Sequence, residues 1–106
     1  MKYCAIILFF FGLLSCHSEH LINKDNITKI VFFNEEKQVV ISDKDSISTI
    51  VKKINGANYE PAIFPTEYEI DVYYNDSIVA ILCYSDLINI NGKPYKLSKP
   101  LKAYFE

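Results

Sequence analysis

The chain has 106 residues, half of them hydrophobic, 14% aromatic and 23% charged, which fits one small globular domain. All 11 basic residues are lysine, and the formal net charge is −2 with no basic cluster. That balance argues against nucleic acid as a partner, and the absence of arginine removes the side chain best suited to two-pronged capture of phosphate.

In chain order, Lys2 supplies a positive start and Ala5–Leu14 is an uninterrupted apolar run. The run is too short to span a bilayer and has the length of the apolar region of a secretory signal. It ends in Leu13-Leu14-Ser15-Cys16. This ending resembles the lipobox of bacterial lipoprotein signal peptides. The resemblance covers residues 1–16 and implies cleavage before Cys16, a thioether-linked diacylglycerol on its sulfur, and further acylation (palmitate or a similar chain) of the new amine. Residues 1–15 are then a signal peptide, and the chain meets a membrane through its lipid, since two or more acyl chains anchor stably. The resemblance also implies a place in the bacterial cell envelope. Residue 17 is His rather than Asp, which by the sorting pattern of such lipoproteins points to the outer membrane, facing the periplasm. Cys4 leaves with the signal and Cys16 carries lipid, so Cys83 is the remaining thiol and no intramolecular disulfide is expected.

Residues 16–26 read as the lipidated cysteine and a polar tether. His17 and His20 in this stretch lack the further ligands of a closed metal site, so no metal is expected. The domain then starts at Ile27. Ile27–Phe33 and Lys37–Ile41 read as strands about the polar turn Asn34–Glu36. Pairing Phe33 with Gln38 sets Ile30, Phe32, Val39 and Ile41 on one face and Val31, Phe33 and Val40 on the other. Apolar groups on both faces suggest that neither is fully wet.

Within Ser42–Gly56, Ile47, Ile50, Val51 and Ile54 form one apolar stripe at helical spacing. Ser42 or Asp43 caps the start, Lys52 and Lys53 suit the last turn, and Asn55-Gly56 predicts a left-handed stop. Ala57–Thr66 has two prolines and no period, and reads as an apolar loop holding Tyr59, Ile63 and Phe64. Two roles fit those three residues: contacts for a partner, or, for Ile63 and Phe64, a plug for the open end of the core.

Glu67–Tyr74 alternates, with Tyr68, Ile70, Val72 and Tyr74 opposite Glu67, Glu69 and Asp71. Asn75-Asp76 turns the chain into Ser77–Tyr84. That register puts Val79, Ile81 and Cys83 with the inward residues, and apolar residues on both sides make this strand central. Asn91-Gly92 joins Leu87–Ile90 to Lys93–Leu97, and Pro94 predicts an edge position for that last strand. Ser98–Glu106 fits one or two helical turns with Leu101, Tyr104 and Phe105 inward. The fold class is therefore α+β: a small antiparallel sheet, ordered β-β-α-β-β-β-β along the chain, with one principal helix on one face and a short C-terminal helix.

Chemistry is sparse. Glu67, Glu69 and Asp71 stand at alternate positions about 6.6–7 Å apart, a spacing compatible with carboxylate-based glycoside hydrolysis, although clean alternation is also what a solvated face shows. Asp43-Lys44-Asp45 begins like a calcium loop, but Ile47 replaces the third acidic ligand and the glycine is missing. Cys83 has no base partner and reads as a buried, inert thiol. Asp76-Ser77-Ile78 resembles a three-residue O-glycosylation signal of some lipoprotein-rich bacteria. No catalytic residue and no cofactor is assigned. The expected function is a non-catalytic binding or accessory module of the envelope, with a protein or glycan partner. The alternatives are a small hydrolase or carbohydrate-active protein using Glu67, Glu69 and Asp71, or a purely structural lipoprotein.

Overall fold

The computed structural model describes residues 21–105. Cys16, the apolar run before it, and His17 and His20 lie outside the described residues. One α-helix, α1 (Lys44–Asn55), stands among seven strands: β1 (Ile27–Phe33), β2 (Gln38–Ile41), β3 (Asn58–Tyr59), β4 (Tyr68–Tyr74), β5 (Ile78–Tyr84), β6 (Leu87–Ile90) and β7 (Lys93–Lys96). A single 3₁₀ turn, Lys102–Tyr104, follows. The strands form one antiparallel sheet in the order β2-β1-β4-β5-β6-β7-β3. This is an α+β fold.

Asp43 caps α1 by accepting the Ser46 N–H at 2.9 Å, and hydrogen bonding from Ser46, its side chain first and its backbone second, holds the Asp43 carboxyl below the ordinary range. The stripe Ile47, Ile50, Val51 and Ile54 is buried on the inner face of the sheet. Rows of side chains cross that face in the expected registers. Phe32, Ile70, Ile81 and Ile90 make one row, and Tyr68, Cys83 and Ile88 make the next. Leu97, Leu101 and Phe105 close the end of the core, with the Phe105 ring stacked on Tyr68 at 5.6 Å between centroids.

Three expectations are corrected. First, β7 is not an edge strand. Tyr59 and Asn58 pair with Tyr95 and Lys96, so β3, inside the stretch read as loop, forms the edge. Pro94 acts on the length of that pairing instead. Its carbonyl accepts the Glu60 N–H at 3.1 Å, but it has no N–H to return, and the ladder ends there. Second, Gly56 is right-handed, with φ −86°, so α1 has no left-handed stop. The Asn55 side chain meets the incoming N-terminal segment there, accepting the Ile22 N–H at 2.9 Å and donating to the Ile22 carbonyl at 3.1 Å. Third, the stretch read as a tether is docked from Leu21 onward. Ile22 is a buried member of the core, and the Tyr74 hydroxyl donates to the Asn23 carbonyl at 2.6 Å.

Among the described residues Tyr68 is the largest fully buried side chain, and its hydroxyl has no hydrogen-bond partner there. Burial raises its pKa, and burial pushes the neighbouring Cys83 thiol up to about 12. A buried hydroxyl without a partner costs about 1–3 kcal/mol in lost hydration. Tyr68→Phe is therefore expected to melt at the wild-type temperature or above. A loss of more than about 1 kcal/mol in denaturant unfolding would show that the hydroxyl is bonded in the folded chain.

Candidate functional site

Among the described residues, no helix packs on the outer face of the sheet. Its composition follows from the strands that build it. β1 and β5 are apolar on both sides, so Val31 and Phe33 from β1, and Ile78, Ala80, Leu82 and Tyr84 from β5, point away from the core. β4 lies between these two and sends Glu69, Asp71 and Tyr73 outward. The result is an apolar face with an acidic pair near its centre. Among the described residues, the large apolar side chains left exposed are Val40, Tyr59, Ile63, Ile78, Leu82 and Tyr84, and all but Tyr59 belong to this face or to the loop over it.

That loop is Glu60–Thr66. It crosses the row formed by Leu82, Asn89 and Pro94 and leaves a groove of about 330 Å³ beneath Ala62, Ile63, Phe64 and Thr66. Phe64 is half-buried and stacks on Tyr84 at 6.4 Å, whereas Ile63 is fully exposed. Neither plugs the helix-side core. Tyr59 lies elsewhere. It pairs with Tyr95 at the sheet edge on the helix side, ring against ring at 6.0 Å. The structure thus brings Ile63 and Phe64 together and leaves Tyr59 apart.

The three carboxylates do not act as a set. Glu67 is tied to the end of the domain, 3.1 Å from the Lys102 ammonium and 3.3 Å from the Ser85 N–H. These contacts, the lysine first, hold its carboxyl below the ordinary range. Glu69 and Asp71 stand at alternate positions on the outer side of β4. Hydrogen bonding toward Asp71, partial burial and the Asp71 charge push the Glu69 carboxyl up to about 7. Among the described residues Asp71 Oδ1 is buried without a partner. Glu67 is exposed, and Glu69 and Asp71 are partly exposed between apolar neighbours on β1 and β5.

A second, open groove of about 530 Å³ lies at the other end of the sheet, between residues 21–26 and the β4–β5 turn. Ser77 is exposed on its wall. Among the described residues no cluster of three or more metal-ligating side chains occurs. Also among them, no helix is long and apolar enough to cross a membrane. Comparison with protein-family models, curated proteins and solved structures gives no significant match, so the outer face is read on its own chemistry.

The outer-face residues Val31, Phe33, Val40, Ile78, Leu82 and Tyr84 were not singled out from the sequence as a site. The signal for them is a count of covers: two strands apolar on both sides, and one helix to bury only one side.

The pair makes stability depend on pH. The folded chain holds the Glu69 proton up to about pH 7, whereas an unfolded glutamate releases it near 4.5, so the folded state binds more protons between those values. The contribution of Glu69 to stability is therefore expected to fall as pH rises from 4.5 to about 7. Carboxyl-carbon NMR should place its midpoint near 7, and Asp71→Asn should move that midpoint down toward 4.5. An ordinary midpoint in the wild type would remove the coupled pair.

Proposed function

We propose that the protein is a lipid-anchored, non-catalytic binding module of the bacterial envelope, held at the outer membrane and facing the periplasm. The observation that supports the binding function is the concentration of exposed apolar side chains on the sheet face that no helix among the described residues covers. Several exposed large apolar side chains gathered on one face of a small domain mark an interaction site, unlike apolar residues scattered singly over a surface. Ile63 and Phe64, on a loop stiffened by Pro61 and Pro65, add contact area at low ordering cost.

The address rests on Leu13-Leu14-Ser15-Cys16. With lipid on Cys16, the five residue steps to Leu21 reach at most about 18 Å. Because Leu21 and Ile22 pack on the core and Asn55 and Tyr74 bond the backbone of Ile22 and Asn23, that end stays near the bilayer. The outer face is then presented to the side of the anchor, where an envelope protein can reach it.

The test places a photoreactive amino acid at Leu82 and, as a control, at Lys52 on the exposed side of α1, in cells fed a labelled fatty acid. The expected result is a discrete crosslinked product from position 82 only, with label incorporation that Cys16→Ser abolishes. Ile63→Asp should remove the product while changing stability by no more than about 0.5 kcal/mol, since the side chain is fully exposed. No product at 82, or equal products at 82 and 52, would contradict the binding face. Equal labelling of wild type and Cys16→Ser would contradict the anchor.

A further inference from the structure

The Glu69–Asp71 pair is an unusual thing to leave in the middle of an apolar face. Across the sheet, Phe33, Glu69 and Leu82 share one row, and Val31, Asp71 and Ala80 share the next. Each carboxyl therefore has an apolar neighbour on both sides. Among the described residues no ion pair reaches Glu69 or Asp71, whereas Glu67 on the same strand edge has Lys102. The cation nearest in register, Lys29, is engaged with the Tyr73 ring at 4.6 Å. Among the described residues Asp71 Oδ1 is a buried acceptor without a donor. A carboxylate can only accept, so what this position lacks is a donor, and the charge it lacks is positive.

We propose that the outer face receives a protein segment that sets an arginine or lysine side chain, flanked by apolar side chains, onto the Glu69–Asp71 pair. This deepens the binding-module reading and rests on it. A guanidinium presents several donors in one plane and spans two adjacent carboxyls, and an ammonium supplies three donors at one point. Apolar side chains beside the cation would meet Phe33, Leu82 and Ile78 and exclude water from the contact, which strengthens it. The chemistry selects this occupant over others. A bare calcium or similar ion needs six or more oxygen ligands, and two carboxyls among valine, phenylalanine, alanine and leucine offer too few. A glycan needs donors and acceptors spread over its footprint, and beyond the pair this face offers few. A second copy of the chain, stacked face to face, would bring two acidic pairs into one apolar interface, where like charges repel strongly.

Docking of a cation favours the ionised form of Glu69, so its proton is released on binding. Affinity should then rise with pH through neutrality. The other groups facing the pair leave this direction intact. β1 contributes Lys29, β2 contributes the uncharged Gln38, β5 contributes the Tyr84 phenol, β6 the uncharged Asn89, and the overlying loop contributes Glu60 at its start.

The experiment uses the full chain in nanodiscs and three fluorescein-labelled peptides, Ser-Val-Leu-Xaa-Leu-Val-Ser, with arginine, norleucine or glutamate at Xaa. The arginine peptide should bind at least about tenfold more tightly than the norleucine peptide, and the glutamate peptide should bind most weakly. The arginine peptide alone should bind more tightly at about pH 8 than at about pH 6. Glu69→Gln and Asp71→Asn, each checked for a wild-type melting profile, should lower its affinity to that of norleucine. Equal binding of the arginine and norleucine peptides, abolished by Leu82→Asp, would overturn the cation requirement and leave the apolar face standing as a binding site. Binding of no peptide at millimolar concentration would also overturn the proposal, with crosslinking at position 82 deciding the face separately. Self-association in sedimentation that Leu82→Asp abolishes would replace the proposed partner by a second copy.

Discussion

The contact between the Ile47, Ile50, Val51 and Ile54 stripe and the inner face of the sheet is the interaction on which the domain depends. Burying four such side chains contributes very roughly 6–12 kcal/mol of gross apolar stabilisation, comparable to the whole net stability of a small domain. The described residues contain no disulfide to help: Cys83 is a free thiol inside the core. Nor is any polar or charged residue buried there. The inner face is therefore dry and closed, sealed at one end by Leu101 and Phe105 and at the other by Ile22, whose backbone is clamped by the Asn55 side chain.

That same contact determines what is left open. One helix of 12 residues covers one side of a seven-stranded sheet, and the chain supplies nothing comparable for the other side among its described residues. A sheet in that position is usually polar outside, with alternation along every strand. β4 obeys this pattern, but its neighbours β1 and β5 do not. The acidic strand between two apolar ones keeps the face from being uniformly hydrophobic, at the cost of holding Glu69 against its ordinary ionisation. Local departures of this kind, where charge sits unpaired among apolar neighbours, concentrate where a protein meets something else.

Much of the fold was legible in the residues. The alternation of Tyr68, Ile70 and Val72 against Ile81 and Cys83 fixed the central hairpin register, and Phe33 opposite Gln38 fixed the first one. Asn91-Gly92 formed the expected turn, with both residues at positive φ. What escaped depends on contacts between distant segments. The two-residue strand β3 has no period to read, and it exists because β7 offers an edge. The right-handed end of α1 reflects the docking of Ile22 on Asn55, 33 positions earlier in the chain. The coupling of Glu69 to Asp71 needed the knowledge that β1 and β5, apolar on their outer sides, lie on either side of β4.

The account stands or falls on the sheet having one covered and one uncovered face in the isolated protein. The most direct measurement is methyl-detected paramagnetic relaxation by an inert, soluble gadolinium chelate. Strong relaxation is expected for the methyl groups of Val40, Ile63, Ile78 and Leu82, and near-complete protection for those of Ile30, Ile50, Ile54, Ile70, Ile81 and Ile88. Protection of Ile78 and Leu82 to the level of Ile70 would mean that something already covers the outer face, and would contradict the account.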